Sequence, residues 1–112
     1  MATDDRARRI GENEALYRSI NERIEDLNTA FGLVTETMSV ICECGDLECN
    51  EQIELDIPAY EHVRADPTQF VVLPGHELPD VEEVIERHDG YYVLRKNPGA
   101  PAQIARDMSE RD

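Results

Sequence analysis

All three cysteines of this 112-residue chain fall within eight positions, in Cys42-Glu43-Cys44-Gly45-Asp46-Leu47-Glu48-Cys49. Thiolates are the soft ligands that zinc prefers, and a structural zinc site takes four ligands in a tetrahedron, so three cysteines call for one more. His76, in Leu73-Pro74-Gly75-His76-Glu77, is the best candidate, with His62, His88 and Asp46 as the other possible fourth ligands. The acidic residues between the sulfurs make the segment a poor place for cysteines serving as small core hydrophobes. The reading is therefore a Cys3His site of Cys42, Cys44, Cys49 and His76 holding a structural Zn2+.

The spacing is C-x-C-x4-C followed by 26 residues to His76. It is similar to the cysteine triplet of post-SET segments, in which three sulfurs hold a zinc completed by a distant ligand, and the likeness stops at that motif. Zinc with three thiolates carries a local charge of −1, which backbone N–H groups around a turn such as Gly45 can offset. A closed four-ligand site points to a non-enzymatic regulatory or protein-interaction module. The alternative is a zinc-thiolate redox switch, in which oxidation of the cysteines ejects the metal. A small zinc hydrolase stands behind both: Glu43 or Glu77 could serve as its base, but H-E-x-x-H and the deaminase P-C-x-x-C are absent. No phosphate-binding glycine loop, nucleophile elbow or kinase signature is present, and no catalytic residue is assigned.

Several elements must position these ligands. From Thr35 the chain reads as extended, and in a strand Cys42 and Cys44 point to the same side. Glu51 to Leu55 alternates with period two, so residues 38–55 form a hairpin whose turn is the metal loop. Asp56 can cap a short helix over 57–65 with Pro58 in its first turn. Phe70 to Leu73 is a short buried strand that ends at the Pro74-Gly75 turn and presents His76. Val81 to Lys96 is a hairpin about Asp89-Gly90, pairing His88 with Tyr91, Ile85 with Leu94 and Glu83 with Lys96. His62 and His88 read as surface residues.

Before these elements, residues from about 5 to 31 form a long helix. Ile10, Asn13, Tyr17, Ile20, Ile24, Leu27 and Phe31 step by threes and fours in the a/d manner of a heptad, and Leu16 widens the stripe. The stripe is expected to pack on the protein's own sheet, with a helix-to-helix homodimer as the alternative. Gly11 suggests a frayed first turn, and Gly32 sits where a helix would end.

The net charge is −14, and its distribution is uneven. Residues 33–90 hold fifteen acids against Arg64 and Arg87 alone. Such a chain is poorly suited to nucleic acid or anionic lipid and better suited to a protein with a basic surface. No apolar run reaches the roughly 20 residues needed to span a bilayer, and the first residues carry no signal-peptide pattern. A cytoplasmic location is expected, where clustered cysteines bind metal more readily than they form disulfides.

The chain also resembles a group of small uncharacterised actinobacterial proteins. The likeness runs from Asn13 to Lys96 through Asn13-Glu14-Ala15-Leu16, Asn21-Glu22-Arg23-Ile24, Cys42-Glu43-Cys44-Gly45 with Cys49, Tyr60-Glu61-His62-Val63-Arg64, Pro74-Gly75-His76-Glu77 and Tyr92-Val93-Leu94-Arg95-Lys96. It implies membership and source, and it brings no activity. The fold class expected is α+β: one domain over residues 1–97, a long N-terminal helix on a small, mainly antiparallel sheet, with residues 98–112 as a flexible tail.

Overall fold

The computed structural model describes residues 2–30, 37–46 and 48–109, with side chains placed for all of these except 2–4 and 28–30. It is an α+β fold in the order α1 (Ala2–Ala30), β1 (Thr37–Ile41), β2 (Gln52–Asp56), α2 (Ile57–Arg64), β3 (Gln69–Val72), β4 (Glu82–His88), β5 (Tyr91–Lys96) and α3 (Ala100–Asp107). β1 and β2 form an antiparallel ribbon with Val40 opposite Ile53, and β3, β5 and β4 form a second antiparallel sheet in that order. Met38, Val40, Ile53 and Leu55 from the ribbon meet Phe70, Val71, Val72, Val93 and Leu94 from the sheet in one core. Among the described residues no helix is long and apolar enough to cross a membrane.

Local chemistry accounts for the elements. Asp56 caps α2 by accepting a hydrogen bond from Ala59 N–H, and Pro58 occupies the first turn, where no N–H is needed. The Asp89-Gly90 turn has Gly90 at φ +87°, a conformation open to glycine. The β4–β5 register departs from the simple hairpin. His88 does face Tyr91, but a bulge at Ile85 sets Val84 opposite Leu94 and Glu82 opposite Lys96, in place of Ile85 and Glu83. An unpaired residue in one strand shifts every later partner by one position and turns the strand's other face inward. Glu82 is thereby buried while Glu83 stays exposed.

The helix stripe also faces a different way. The buried side of α1 is Ala7, Ile10, Glu14, Ala15, Arg18, Asn21, Glu22 and Glu25. Leu16 and Leu27 are 52% and 57% exposed, Asn13, Tyr17, Ile20 and Ile24 are half-buried, and Phe31 and Gly32 lie outside the described residues. The heptad spacing correctly marks a helix but not its inward face. The two sheets fill the core with their own aliphatic side chains, and α1 supplies polar partners for backbone groups in the elements around them. Arg18 supplies two, donating to Pro67 O at 2.7 Å and Ala105 O at 3.0 Å while its guanidinium lies over Phe70.

Within the expected tail of residues 98–112, Ala100–Asp107 form a packed helix. α3 lies on α1 with Ala102 and Ala105 buried, and a Cβ at Gly11 would stand 2.7 Å from Ile104 Cγ2. Gly11 therefore marks the close approach of two helices, inside α1, and not a frayed end.

Candidate metal centre

β1 ends at Ile41, but the chain stays extended through Cys44. Cys42 N–H donates to Glu51 O at 2.9 Å, and Glu43 N–H donates to Val71 O at 2.8 Å, on the edge of β3. Residues 42–44 thus join the ribbon to the second sheet. The alternation of an extended chain sends Cys42 and Cys44 to one side and Glu43 to the other. The loop then turns back, with Asp46 O accepting from Cys49 N–H and Asp46 Oδ1 accepting from Glu48 N–H at 2.9 Å. On the far side, β3 leads into a turn in which His76 N–H donates to Leu73 O and Gly75 sits at φ +91°. That left-handed conformation is glycine's, and it aims the imidazole back at the sulfurs.

The result is a cluster of four. One ligand atom from each of Cys42, Cys44, Cys49 and His76 lies within 4.8 Å of all the others, a set that could hold a metal ion. His76 Nδ1 is 3.6 Å from Cys42 Sγ and 3.6 Å from Cys49 Sγ. No disulfide links the cysteines, and all three are buried. Each sulfur also receives a backbone N–H: Leu73 N–H on Cys42 at 3.3 Å, Asp46 N–H on Cys44 and Glu51 N–H on Cys49. Within the cluster the Cys42 thiol hydrogen bonds to Cys44. That bond lowers Cys44 to about 5, and with burial it pushes Cys42 well up. Burial also raises Cys49.

The other possible fourth ligands lie elsewhere or are engaged. His62 Nε2 and His88 Nε2 both meet the Glu86 carboxylate, at 3.3 and 2.8 Å, and His88 stacks on Tyr91. The Asp46 carboxylate caps its own turn. Glu77 accepts from Gly75 N–H at 2.8 Å. A cleft of about 250 Å³ opens beside the cluster between the two turns, with Cys44, His76 and Glu77 on its walls.

Behind the sulfurs sits a residue whose role the sequence reading did not find. Glu43, whose charge in sequence argues for a loop outside the core, is fully buried. Its carboxylate accepts from Asn21 Nδ2 at 2.8 Å, Tyr60 Oη at 2.9 Å, Val71 N–H at 3.0 Å and Arg64 Nη2 at 3.4 Å. Arg64 also donates to Gln69 O and lies over the Tyr60 and Phe70 rings. Burial and the adjacent carboxylate hold the Tyr60 hydroxyl well above its ordinary value, so it remains a donor. Asn21 in turn pairs with both backbone groups of Ile41, at 2.8 Å each. Asn13 Nδ2 donates to Gly45 O at 3.0 Å, and a Cβ on Gly45 would stand 2.7 Å from Ile10 Cγ2. Glu43 therefore ties the thiol loop to α1, α2 and β3 at once, which also removes it from consideration as a base facing the metal. The signal available in sequence was Glu43 flanked by two cysteines in an extended stretch, where alternation must send it opposite to them.

Comparison of the chain with protein-family models, curated proteins and solved structures finds no match.

Proposed function

We propose that this protein is a zinc-binding regulatory or interaction module, with Zn2+ held by Cys42, Cys44, Cys49 and His76 as a structural staple. The observation that carries the reading is the spacing of the ligand atoms. A Zn–S bond of about 2.3 Å and a Zn–N bond of about 2.1 Å meeting at the tetrahedral angle put S and N about 3.6 Å apart. The two distances from His76 Nδ1 to Cys42 Sγ and Cys49 Sγ have that value. Four protein ligands leave no position for a catalytic water, which favours a structural site over a hydrolase. Burial of all three sulfurs and an N–H on each favour a staple over an exposed redox switch. The staple would fasten the loop after β1 to the turn after β3, across the joint between the two sheets.

The interaction half of the proposal rests on charge. Arg18, Arg64 and Lys96 are buried, while Asp46, Glu48, Glu51, Glu54, Asp56 and Glu61 are exposed. Such a surface suits a protein with a basic face and repels nucleic acid.

Metal content per chain, measured by plasma mass spectrometry on protein purified without added zinc, tests the site. About one zinc per chain, lost in Cys42→Ser and His76→Ala, is expected. A metal-free wild type with three titratable thiols overturns it. For the partner, affinity capture at low salt should return a stoichiometric basic protein that elutes as salt rises; none recovered counts against an interaction role.

A further inference from the structure

We infer that the outward face of α1 pairs with the same face of a second copy in an antiparallel arrangement, with the two-fold axis near residues 17 and 18. The residues on that face fix both the partner and the orientation.

Leu16, Ile20 and Leu27 lie on the side of α1 away from the domain, where Leu16 and Leu27 are more than half exposed. These three side chains are four and seven residues apart, one above another on a single helix face, and the buried side carries Glu14, Arg18, Asn21 and Glu22 instead. A seam of this kind is shaped for a helix.

Charge selects a second copy, reversed. Glu12, which accepts from Arg8 Nε at 3.0 Å along its own helix, and Arg23 are exposed and eleven residues apart, close to three turns, so they occupy the same flank of the apolar face. In an antiparallel pair each flank meets the same flank of the partner. An axis near residues 17 and 18 then sets Glu12 beside the other copy's Arg23, and by symmetry Arg23 beside its Glu12. The same axis brings Leu16 against Ile20. It also lays the stem of Arg9, an exposed residue on the face itself, over Leu27 with its guanidinium toward Asp26. A parallel pair would instead press the Glu12 and Arg23 flank against the opposite flank, where Asn13 and Ile24 are half-buried in their own domain. Asn13, whose amide is spent on Gly45 O, is likewise not available to pair with its own copy as a parallel seam would have it.

Sedimentation equilibrium of the full chain across a concentration series tests the inference, with circular dichroism to verify folding of each variant. The wild type should approach twice its 12.7 kDa mass as concentration rises. Leu16→Glu, at an exposed position, should stay monomeric and folded. Glu12→Arg alone and Arg23→Glu alone each set like charges across both symmetric contacts and should weaken the dimer about tenfold. The double exchange, Glu12→Arg with Arg23→Glu, should restore it. A wild type that is monomeric throughout overturns the inference, as does a dimer unaffected by Leu16→Glu. A dimer that the double exchange fails to restore overturns the antiparallel register. None of these readings depends on metal.

Discussion

Glu43 and Glu14 are both fully buried carboxylates that hold α1 to the rest of the molecule, yet their surroundings differ in kind. Around Glu43 every neighbour donates: an amide, a phenol, a backbone N–H and a guanidinium. Around Glu14 the described residues offer one donor to share. Lys96 Nζ lies 2.7 Å from Glu14 Oε1 and 2.9 Å from Glu82 Oε1, so one ammonium serves two carboxyl groups. Glu82 has a second partner in Leu78 N–H, whereas among the described residues Glu14 Oε2 has none. Burial and the neighbouring Glu82 push Glu14 well above the ordinary glutamate range, which favours its protonated form. The first centre is a fixed brace behind the thiol loop. The second is a brace whose strength depends on a proton.

Removing the better-satisfied carboxylate should do the greater harm. Glu43→Ala leaves Arg64, Tyr60, Asn21 and Val71 N–H facing a cavity, and breaking a buried charge pair on one side costs about 3–5 kcal/mol. That is a large part of the stability of an ordinary domain. Guanidinium unfolding gives the stability, and zinc competition with a chromophoric chelator gives the affinity; both should fall. Glu43→Gln keeps the shape and should lose less of each. Full stability in Glu43→Ala would show that the two centres are not different after all.

Lys96→Met tests the other side. It leaves Glu14 and Glu82 together without their cation, at a cost of about 2–4 kcal/mol at pH 8. Here, unlike at Glu43, acid should repair the damage, because two protonated carboxyls can share hydrogen bonds without a lysine. Unfolding midpoints at pH 5 and pH 8 should therefore lie closer to the wild type at the lower pH. An equal deficit at both would mean that Glu14 is held as firmly as Glu43.

These two centres also mark how far the sequence could be read. The segments with strong local signals were legible: the uninterrupted helix from Asp5, the capped helix after Asp56, the Asp89-Gly90 turn, and the four residues that converge on one point. Cysteine and histidine report by type that they could ligate a metal. What was not legible depended on which side of an element is buried. A heptad count finds α1 but ranks faces by apolarity, and this domain buries the polar one because its sheets lack partners for backbone and charge. The bulge at Ile85 leaves no mark in composition, yet it alone decides that Glu82 and not Glu83 reaches Lys96. Helix α3 is short and alanine-lined, and its place on α1 follows from the gap at Gly11, which only the assembled fold displays.

The smallest effect should come from Glu14→Gln, and its pH dependence is the sharpest separation of the two centres. A carboxyl whose folded value is raised binds its proton more tightly in the native state than in the unfolded chain. Its contribution is complete below the ordinary glutamate value and is lost as pH climbs toward the folded value. The wild type should thus shed stability over that rise, as Glu14 gives up a proton it holds only in the fold. Glutamine cannot titrate. Its carbonyl can accept from Lys96 and its amide can donate to Glu82, which imitates the protonated acid at every pH. The variant should match the wild type near pH 4.5 within about 1 kcal/mol and equal or exceed it at pH 8, with a flatter stability profile between. A variant that instead loses stability steadily as pH rises would assign the proton to another group, and leave Glu14 as ordinary a partner for Lys96 as Glu43 is for Arg64.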